Sequence, residues 1–221
     1  MDYVHTDPMR HLLASTALLL AAAPLSANAE EDWVGRYALV TGPDAAGELQ
    51  IKADGSFRFG MVAGALDLWA KGRWTRADRG IVLRTEPRPV APVFALVSAK
   101  PGKRDGPLSV KVTRPNGEGI PGIDFHIVRD GLEPVHGYTQ YDGWQSEPGE
   151  DSRVVSIQLS EPIYDAISPV FDVPANARDF TFTLTPNDMG VADFDNAPAE
   201  RTADGLWINW RGGELRFVRQ K

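Results

Sequence analysis

The chain has 221 residues, 43% of them hydrophobic and 24% charged, values typical of a globular protein and too apolar for a disordered one. Its formal net charge is −7 and its pI is about 5.1. It carries no basic stripe that could displace the counterions of a nucleic acid, so we expect no nucleic-acid partner. It has no cysteine, which excludes disulfides, a thiol nucleophile and cysteine-ligated zinc.

The first 29 residues have the composition of a secretory signal peptide. Arg10 and His11 precede an apolar run over 12–24, and Ala27-Asn28-Ala29 is the small-x-small pattern of a cleavage site. The run is short for a membrane span, and we expect no transmembrane segment in the mature chain. Export without any disulfide favours the periplasm of a bacterium, with secretion as the alternative.

The next seventy residues predict a small antiparallel β domain over 31–100. Short runs of alternating hydrophobicity are separated by Gly, Asp and Pro, and no long stretch keeps a helical period. Asp54-Gly55 predicts a tight hairpin between two of these runs. The predicted strands cover 35–40, 48–52, 56–62, 66–74, 80–85 and 93–97.

Residues 101–107 contain two prolines, two glycines and three charged residues, a composition that predicts a domain linker. A second antiparallel β domain is expected over 108–221, with a closing hairpin around Arg211-Gly212. Whether this hairpin instead folds back to complete the first domain stays open. At most one short helix is expected, near 63–68 or within 187–200, and the fold class is all-β. The predicted strands cover 108–113, 123–128, 135–140, 154–159, 180–184, 206–210 and 214–218.

Residues 108–143 carry a strand, an Asn116-Gly117 turn, a Pro121-Gly122 pair that starts the next strand, and Gly137-x-Thr139-x-x-x-Gly143. This stretch resembles the carboxypeptidase regulatory-like, or transthyretin-like, β-sandwich module. The resemblance implies a seven-stranded accessory domain that serves structure or binding and not catalysis.

Residues 33–74 resemble, more weakly, a lipocalin or calycin meander, through the opening Trp33-x-Gly35-x-Tyr37. The resemblance implies an aromatic side chain that closes one end of a barrel. It suggests an alternative function, carriage of a small apolar ligand. That function requires a deep cavity lined by Phe57, Phe59, Trp69 and Trp74.

The glycine string Gly117-x-Gly119-x-x-Gly122 matches a dinucleotide-binding pattern, but that pattern needs a helix directly after it. Pro121 and the β-period residues Ile123, Phe125 and Ile127 predict a glycine-rich turn instead. No serine-hydrolase, zinc-protease or β-lactamase motif occurs. Asp193 and Asp195 lie in an acidic loop without the spacing of a calcium site.

The mature chain keeps two histidines, His126 and His136, and their positions follow from strand parity. Ile127 and Val135 share a buried face only if paired residue numbers have an even sum, because side chains alternate between faces. A three-residue loop over 130–132 satisfies this condition. It places His126 opposite His136 and Asp124 opposite Tyr138, so Asp124, His126, His136 and Tyr138 are predicted to form a polar quartet on an outer face.

The quartet is a candidate ligand-binding site. His126, His136 and Asp124 could hold a divalent metal such as zinc or copper, because directly opposed Cβ atoms lie about 5 Å apart. Otherwise the quartet is a solvated face and no cofactor is expected. Tyr138, Tyr141, Trp144 and Tyr164 could stack on a sugar or fill cores. We expect a non-enzymatic envelope protein that binds an unidentified protein partner or small ligand; the sequence defines neither ligand nor oligomeric state.

Overall fold

The computed structural model describes residues 32–40, 44–149 and 152–221. The predicted signal peptide over 1–29 lies outside these residues. The described part of the chain is all-β, as predicted, with seventeen strands and no helix. It contains no helix long and apolar enough to cross a membrane. Residues 63–68, where a short helix was possible, form two strand ends and the hairpin turn between them, and residues 187–200 contain no helix.

Eight strands form a closed barrel: β1 Gly35–Leu39, β2 Ala45–Ile51, β3 Ser56–Ala63, β4 Leu66–Ala77, β5 Gly80–Thr85, β15 Ala197–Arg201, β16 Gly205–Trp210 and β17 Gly213–Arg219. Their order around the barrel is β1-β17-β16-β15-β5-β4-β3-β2, and all neighbours are paired antiparallel. The predicted Asp54-Gly55 hairpin is confirmed: Gly55 has a φ of 77°, and the Asp54 carboxylate accepts hydrogen bonds from the Ser56 amide at 2.9 Å and hydroxyl at 2.6 Å.

The barrel interior is filled by its own side chains. Phe194, which is fully buried, packs edge-on against Phe59 at a centroid distance of 5.1 Å and against Phe57 at 5.8 Å. Tyr37 of β1 is also fully buried, and its hydroxyl donates to the Trp33 carbonyl at 2.8 Å. Three of the four aromatics expected around a ligand cavity belong to this packed core, whereas Trp69 is 50% exposed.

The remaining strands form a sandwich of two sheets around a separate apolar core. Its strands are β6 Val93–Pro101, β7 Ser109–Thr113, β8 Asp124–Arg129, β9 Leu132–Tyr138, β10 Trp144–Gln145, β11 Val154–Glu161, β12 Ala166–Ile167, β13 Phe171–Asp172 and β14 Ala177–Thr185. One sheet has the order β10-β7-β14-β6, in which β7 and β14 are parallel. The other sheet has the order β12-β11-β8-β9, with β13 also paired to β11.

The strand pairing corrects the predicted domain boundaries, because the sandwich is inserted into the barrel between β5 and β15. β6, assigned to the first domain, pairs with β14 of the sandwich over its whole length. Residues 101–107, predicted as an interdomain linker, connect two strands of one sandwich sheet. The closing hairpin returns to the barrel, which settles the question that the sequence left open. The physical reason is that hydrophobic alternation shows that a segment is a strand but does not identify its partner.

Two connections, residues 86–92 and 186–196, join the sandwich to the barrel and are hydrogen-bonded to each other. The Val90 amide donates to the Asp188 carboxylate at 2.8 Å, and the Asp188 amide donates to the Val90 carbonyl at 3.1 Å. The returning connection then runs beside β4, where Trp69 and Val191 form a parallel bridge. The inserted domain is therefore held by paired segments of chain.

Candidate binding surface on the second sheet

The register predicted from strand parity is confirmed at both histidines. His126 of β8 lies opposite His136 of β9, and Asp124 lies opposite Tyr138. The inward neighbours Phe125 and Ile127 are 3% and 0% exposed, whereas His136, Asp124 and Tyr138 are exposed and His126 is half-buried. The four predicted side chains therefore share the outer face of one sheet.

The turn that joins these strands differs from the prediction. Arg129 pairs with Leu132 across a two-residue turn, Asp130-Gly131, rather than across a three-residue loop. The odd sum that results is corrected by a bulge, because Glu133 and Pro134 together oppose Val128. The Arg129 guanidinium donates two hydrogen bonds to the Glu133 carbonyl, at 3.1 and 2.6 Å, which holds the bulge in place. Pro134 suits this position because it has no amide to contribute to a ladder.

The third strand of the sheet, β11, adds residues to the quartet that the sequence did not indicate. Gln158 lies opposite His126 on its other side, and Ser160 lies opposite Asp124. Ile167 of β12 lies opposite Ser160 and is 69% exposed. The resulting surface is a shallow depression of about 310 Å³. The alternating hydrophobicity over 154–160 predicted the strand that carries Gln158 and Ser160. It could not predict that this strand, β11, pairs with β8.

The two imidazole rings are close enough to act together. Their centroids are 4.4 Å apart and their planes meet at 69°. Asp124 does not join them as a third ligand, since no three His, Asp or Glu side chains within the described ranges converge on a possible metal position. A metal ion on this surface would therefore have two imidazole ligands and take its others from water.

The four aromatics considered for sugar stacking do not form one platform. Tyr138 and Tyr141 are exposed, at 58% and 67%, but Trp144 packs on Phe125 at a centroid distance of 4.7 Å as part of the sandwich core. Tyr164 packs against the barrel core instead. The surface thus offers one aromatic ring, that of Tyr138, directly beside the polar groups.

The glycine-rich segment before β8 is a turn, as predicted. Gly117 and Gly122 have φ angles of 88° and 76°, and strand β8 follows with no helix between. Thr139 is fully buried behind this turn; its hydroxyl donates to the Ile120 carbonyl at 2.7 Å and accepts from the Ile123 amide at 3.2 Å. These bonds position the start of β8 and therefore the quartet.

The acidic loop after β14 is paired with the other connecting segment, residues 86–92, rather than open to an ion. Asp193 and Asp195 both pair with Arg88, at 3.4 and 3.5 Å.

Comparison of the chain with protein families, with curated proteins and with solved structures found no match.

Proposed function

We propose that this chain is a non-enzymatic binding module of the bacterial envelope, exported to the periplasm by a cleaved signal peptide, that recognises a partner through the outer face of its second sandwich sheet. The observation that carries the proposal is the quartet itself. Two opposed pairs, His126 with His136 and Asp124 with Tyr138, stand side by side on an outward surface.

The composition of this surface supports recognition of a partner. Hydrogen-bonding groups lie between two exposed apolar side chains, Tyr138 at 58% and Ile167 at 69%. Tyrosine and aliphatic anchors among polar groups are characteristic of protein interfaces. β9 is the last strand of its sheet, so its outer edge offers further backbone groups to a partner, limited by the bulge at Pro134.

The segment 108–143 supports an accessory role through its resemblance to transthyretin-like modules. In the structure its glycines at 117, 122 and 143 all have positive φ, so the residues that carry the resemblance serve backbone turns. Carriage of an apolar ligand by the barrel has no comparable support, because packed side chains occupy its interior.

The partner-binding proposal can be tested by photo-crosslinking in cells of the producing bacterium. A benzophenone amino acid is placed at position 138 or 167, and as a control at position 62, where Val62 is 48% exposed on the barrel. We expect a discrete protein adduct at 138 and 167 that is absent at 62. Absence of adducts at 138 and 167, or equal adducts at all three positions, would contradict the proposal.

The non-enzymatic part of the proposal has its own test. Purified protein is assayed with generic ester, glycoside and peptide substrates, alongside His126→Ala and His136→Ala. We expect no turnover above background in any sample. Turnover by the unaltered chain that either substitution abolishes would show that the histidines are catalytic.

The His pair favours a second candidate function, binding of a divalent metal, because the ring centroids are only 4.4 Å apart. Titration calorimetry with zinc and with copper should give one site per chain in the unaltered protein and none in His126→Ala. Asp124→Asn is the matched control and should bind as the unaltered protein does, since Asp124 joins no three-ligand group. Equal binding by His126→Ala would remove this candidate.

A further inference from the structure

A cleft of about 370 Å³ lies between the barrel and the inserted sandwich, at the low end of the volumes that hold small organic ligands. Its walls come from the end of the barrel, from the two connecting segments and from the loop over 162–165. The walls are largely apolar, and they include Leu66, Leu68, Val90, Pro92, Ile163 and Trp210. Ligand sites occur preferentially at such domain boundaries.

The guanidinium of Arg211 lines this cleft, and the residue has an unfavourable backbone conformation. Arg211 and Gly212 form the two-residue turn between β16 and β17, with φ angles of 51° and 72°. A turn with two positive φ angles favours Asn or Gly at its first position, so an arginine there is strained. Arg211 lies over the Trp210 ring at 4.8 Å. The ring is fixed because its Nε1 donates to the Asp193 carbonyl at 2.9 Å.

The ionic partner of Arg211 in the structure is weakly held. Asp165, across the cleft, places its Oδ2 3.8 Å from Nη1 of Arg211, and its side chain is 83% exposed. Asp165 also has a positive φ, of 55°. Two strained residues that face each other across a cavity are typical of functional sites. A solvent-exposed pair at this distance contributes little stability, so a ligand can displace Asp165 at small cost.

The other carboxylates of the cleft are engaged by the protein. Asp188 accepts a hydrogen bond from the Val90 amide at 2.8 Å, and Asp193 pairs with Arg88 at 3.4 Å. Arg211 is therefore the charged group best placed to accept a new partner.

We propose that this cleft binds a small organic carboxylate with an apolar body, whose carboxylate replaces Asp165 on Arg211 while the body packs against Trp210 and the aliphatic walls. A planar guanidinium matches a carboxylate through two parallel hydrogen bonds. The apolar walls and the volume set the size of the remainder of the ligand. This site is separate from the sheet surface proposed above and does not depend on it.

The test uses naphthalene-1-acetate as the probe, with its uncharged amide and naphthalene-1-methylammonium as matched ligands, in titration calorimetry on the full mature chain. We expect the carboxylate to bind and the other two ligands to bind at least about tenfold more weakly, as the loss of a charge-assisted pair implies. Preference for the ammonium would assign the cleft to cations and overturn the proposal, as would no binding of the carboxylate.

Two substitutions in the cleft should change the affinity for the carboxylate in opposite directions. Arg211→Asn should weaken carboxylate binding about tenfold or more without lowering the melting temperature, because Asn suits the positive φ. Asp165→Asn removes the competing charge and should tighten binding about threefold. Arg216→Asn, at an exposed arginine on neighbouring β17, is the control and should bind unchanged. Unaltered affinity in Arg211→Asn, or a loss accompanied by a lower melting temperature, would contradict the proposal.

Discussion

Thr85 is the last residue of β5 before the chain leaves the barrel, and it is 3% exposed. Its hydroxyl donates to the Ala192 carbonyl at 2.7 Å and accepts from the Phe194 amide at 3.0 Å. One side chain thus satisfies two backbone groups of the returning connection, more than a hundred residues later in the chain. These bonds hold Phe194 where its ring fills the barrel.

Thr85→Val should lower the free energy of unfolding by about 1–3 kcal/mol, because the substitution keeps the shape and leaves two buried backbone groups without their partner. Chemical denaturation checks this. Thr75→Val, on the exposed face of β4, is the matched control and should change stability by no more than about 0.5 kcal/mol. Equal stability of the two variants would contradict the role assigned to the hydroxyl.

Tyr37 gives the barrel a dependence on alkaline pH. Burial raises the pKa of its phenol above the usual value of 10.0; nearby Arg219 and Arg201 lower this pKa in part, and Asp32 raises it. The neutral phenol is therefore favoured by the folded state. Its contribution to stability is fully present below pH 10 and is lost as pH rises through the raised folded-state pKa.

Tyr37→Phe should cost about 1 kcal/mol at neutral pH, through loss of the hydrogen bond to the Trp33 carbonyl. It should also flatten the fall in stability above pH 10, which denaturation curves at several alkaline pH values would measure. If the variant lost stability with pH as steeply as the unaltered chain, another group would be responsible.

The outward positions of His126 and His136 could be predicted because alternation fixes which face each residue occupies, and Ile127 and Val135 had to be inside. The position of Arg211 in a cleft could not. Its significance depends on Asp165, which lies 46 residues earlier and meets it only because the closing hairpin returns to the barrel. Local sequence patterns predict which face of a strand a residue occupies, but not which distant residues it contacts.

Among the elements, β3 and β4 show how a glycine can be required by one strand and not by its neighbour. A Cβ built on Gly72 of β4 would lie 1.9 Å from the Arg84 carbonyl oxygen, whereas one built on Gly60 of β3 would meet nothing within 4 Å. Gly72 lies where β4 pairs with both Phe57 and Thr85, so the backbones approach closely as the sheet closes.

Gly72→Ala should destabilise the chain by about 1–3 kcal/mol or more, since the carbonyl cannot move without disturbing β5. Gly60→Ala should be neutral or slightly stabilising, because it reduces the entropy of the unfolded chain. Thermal unfolding of the two variants side by side measures the difference. A destabilisation of both by the same amount would show that the close approach at Gly72 is not the cause.

Most strands could be predicted from period-2 patterns and turn residues. For β5, the predicted first and last residues, 80 and 85, are those of the structure. β15 was missed because Ala197–Arg201 has two alanines and a proline and lies behind an acidic loop, so it has no strong alternation. The bulge at Glu133-Pro134 was missed for a different reason. Parity requires an even sum at the histidines but does not say whether a longer turn or a bulge provides it.

At the scale of the whole molecule, the two cores are built from separate stretches of chain. The buried residues of the sandwich core all fall between 94 and 184, whereas those of the barrel core lie before 84 and after 191. The sequence predicted two β domains in tandem, and the structure has one inside the other. Insertion requires the ends of the inserted domain to be close together, and the reciprocal hydrogen bonds between Val90 and Asp188 show that they are.

This arrangement predicts that the sandwich can be removed without loss of the barrel. In a variant in which Gly-Gly replaces residues 91–187, Val90 and Asp188 stay adjacent and Phe194 is kept. We expect a folded barrel with a cooperative thermal transition and dispersed amide resonances. A second variant, in which Gly-Gly replaces residues 86–196, loses Phe194 and the pairing of Trp69 with Val191. It should be unfolded, because loss of a buried phenylalanine alone costs about 3–5 kcal/mol.

The excised segment 91–187 contains Trp144 as its single tryptophan, packed on Phe125, so its fluorescence reports independent folding of the sandwich. If the first variant were as disordered as the second, the barrel would depend on the sandwich for its stability, and the two cores would form one cooperative unit.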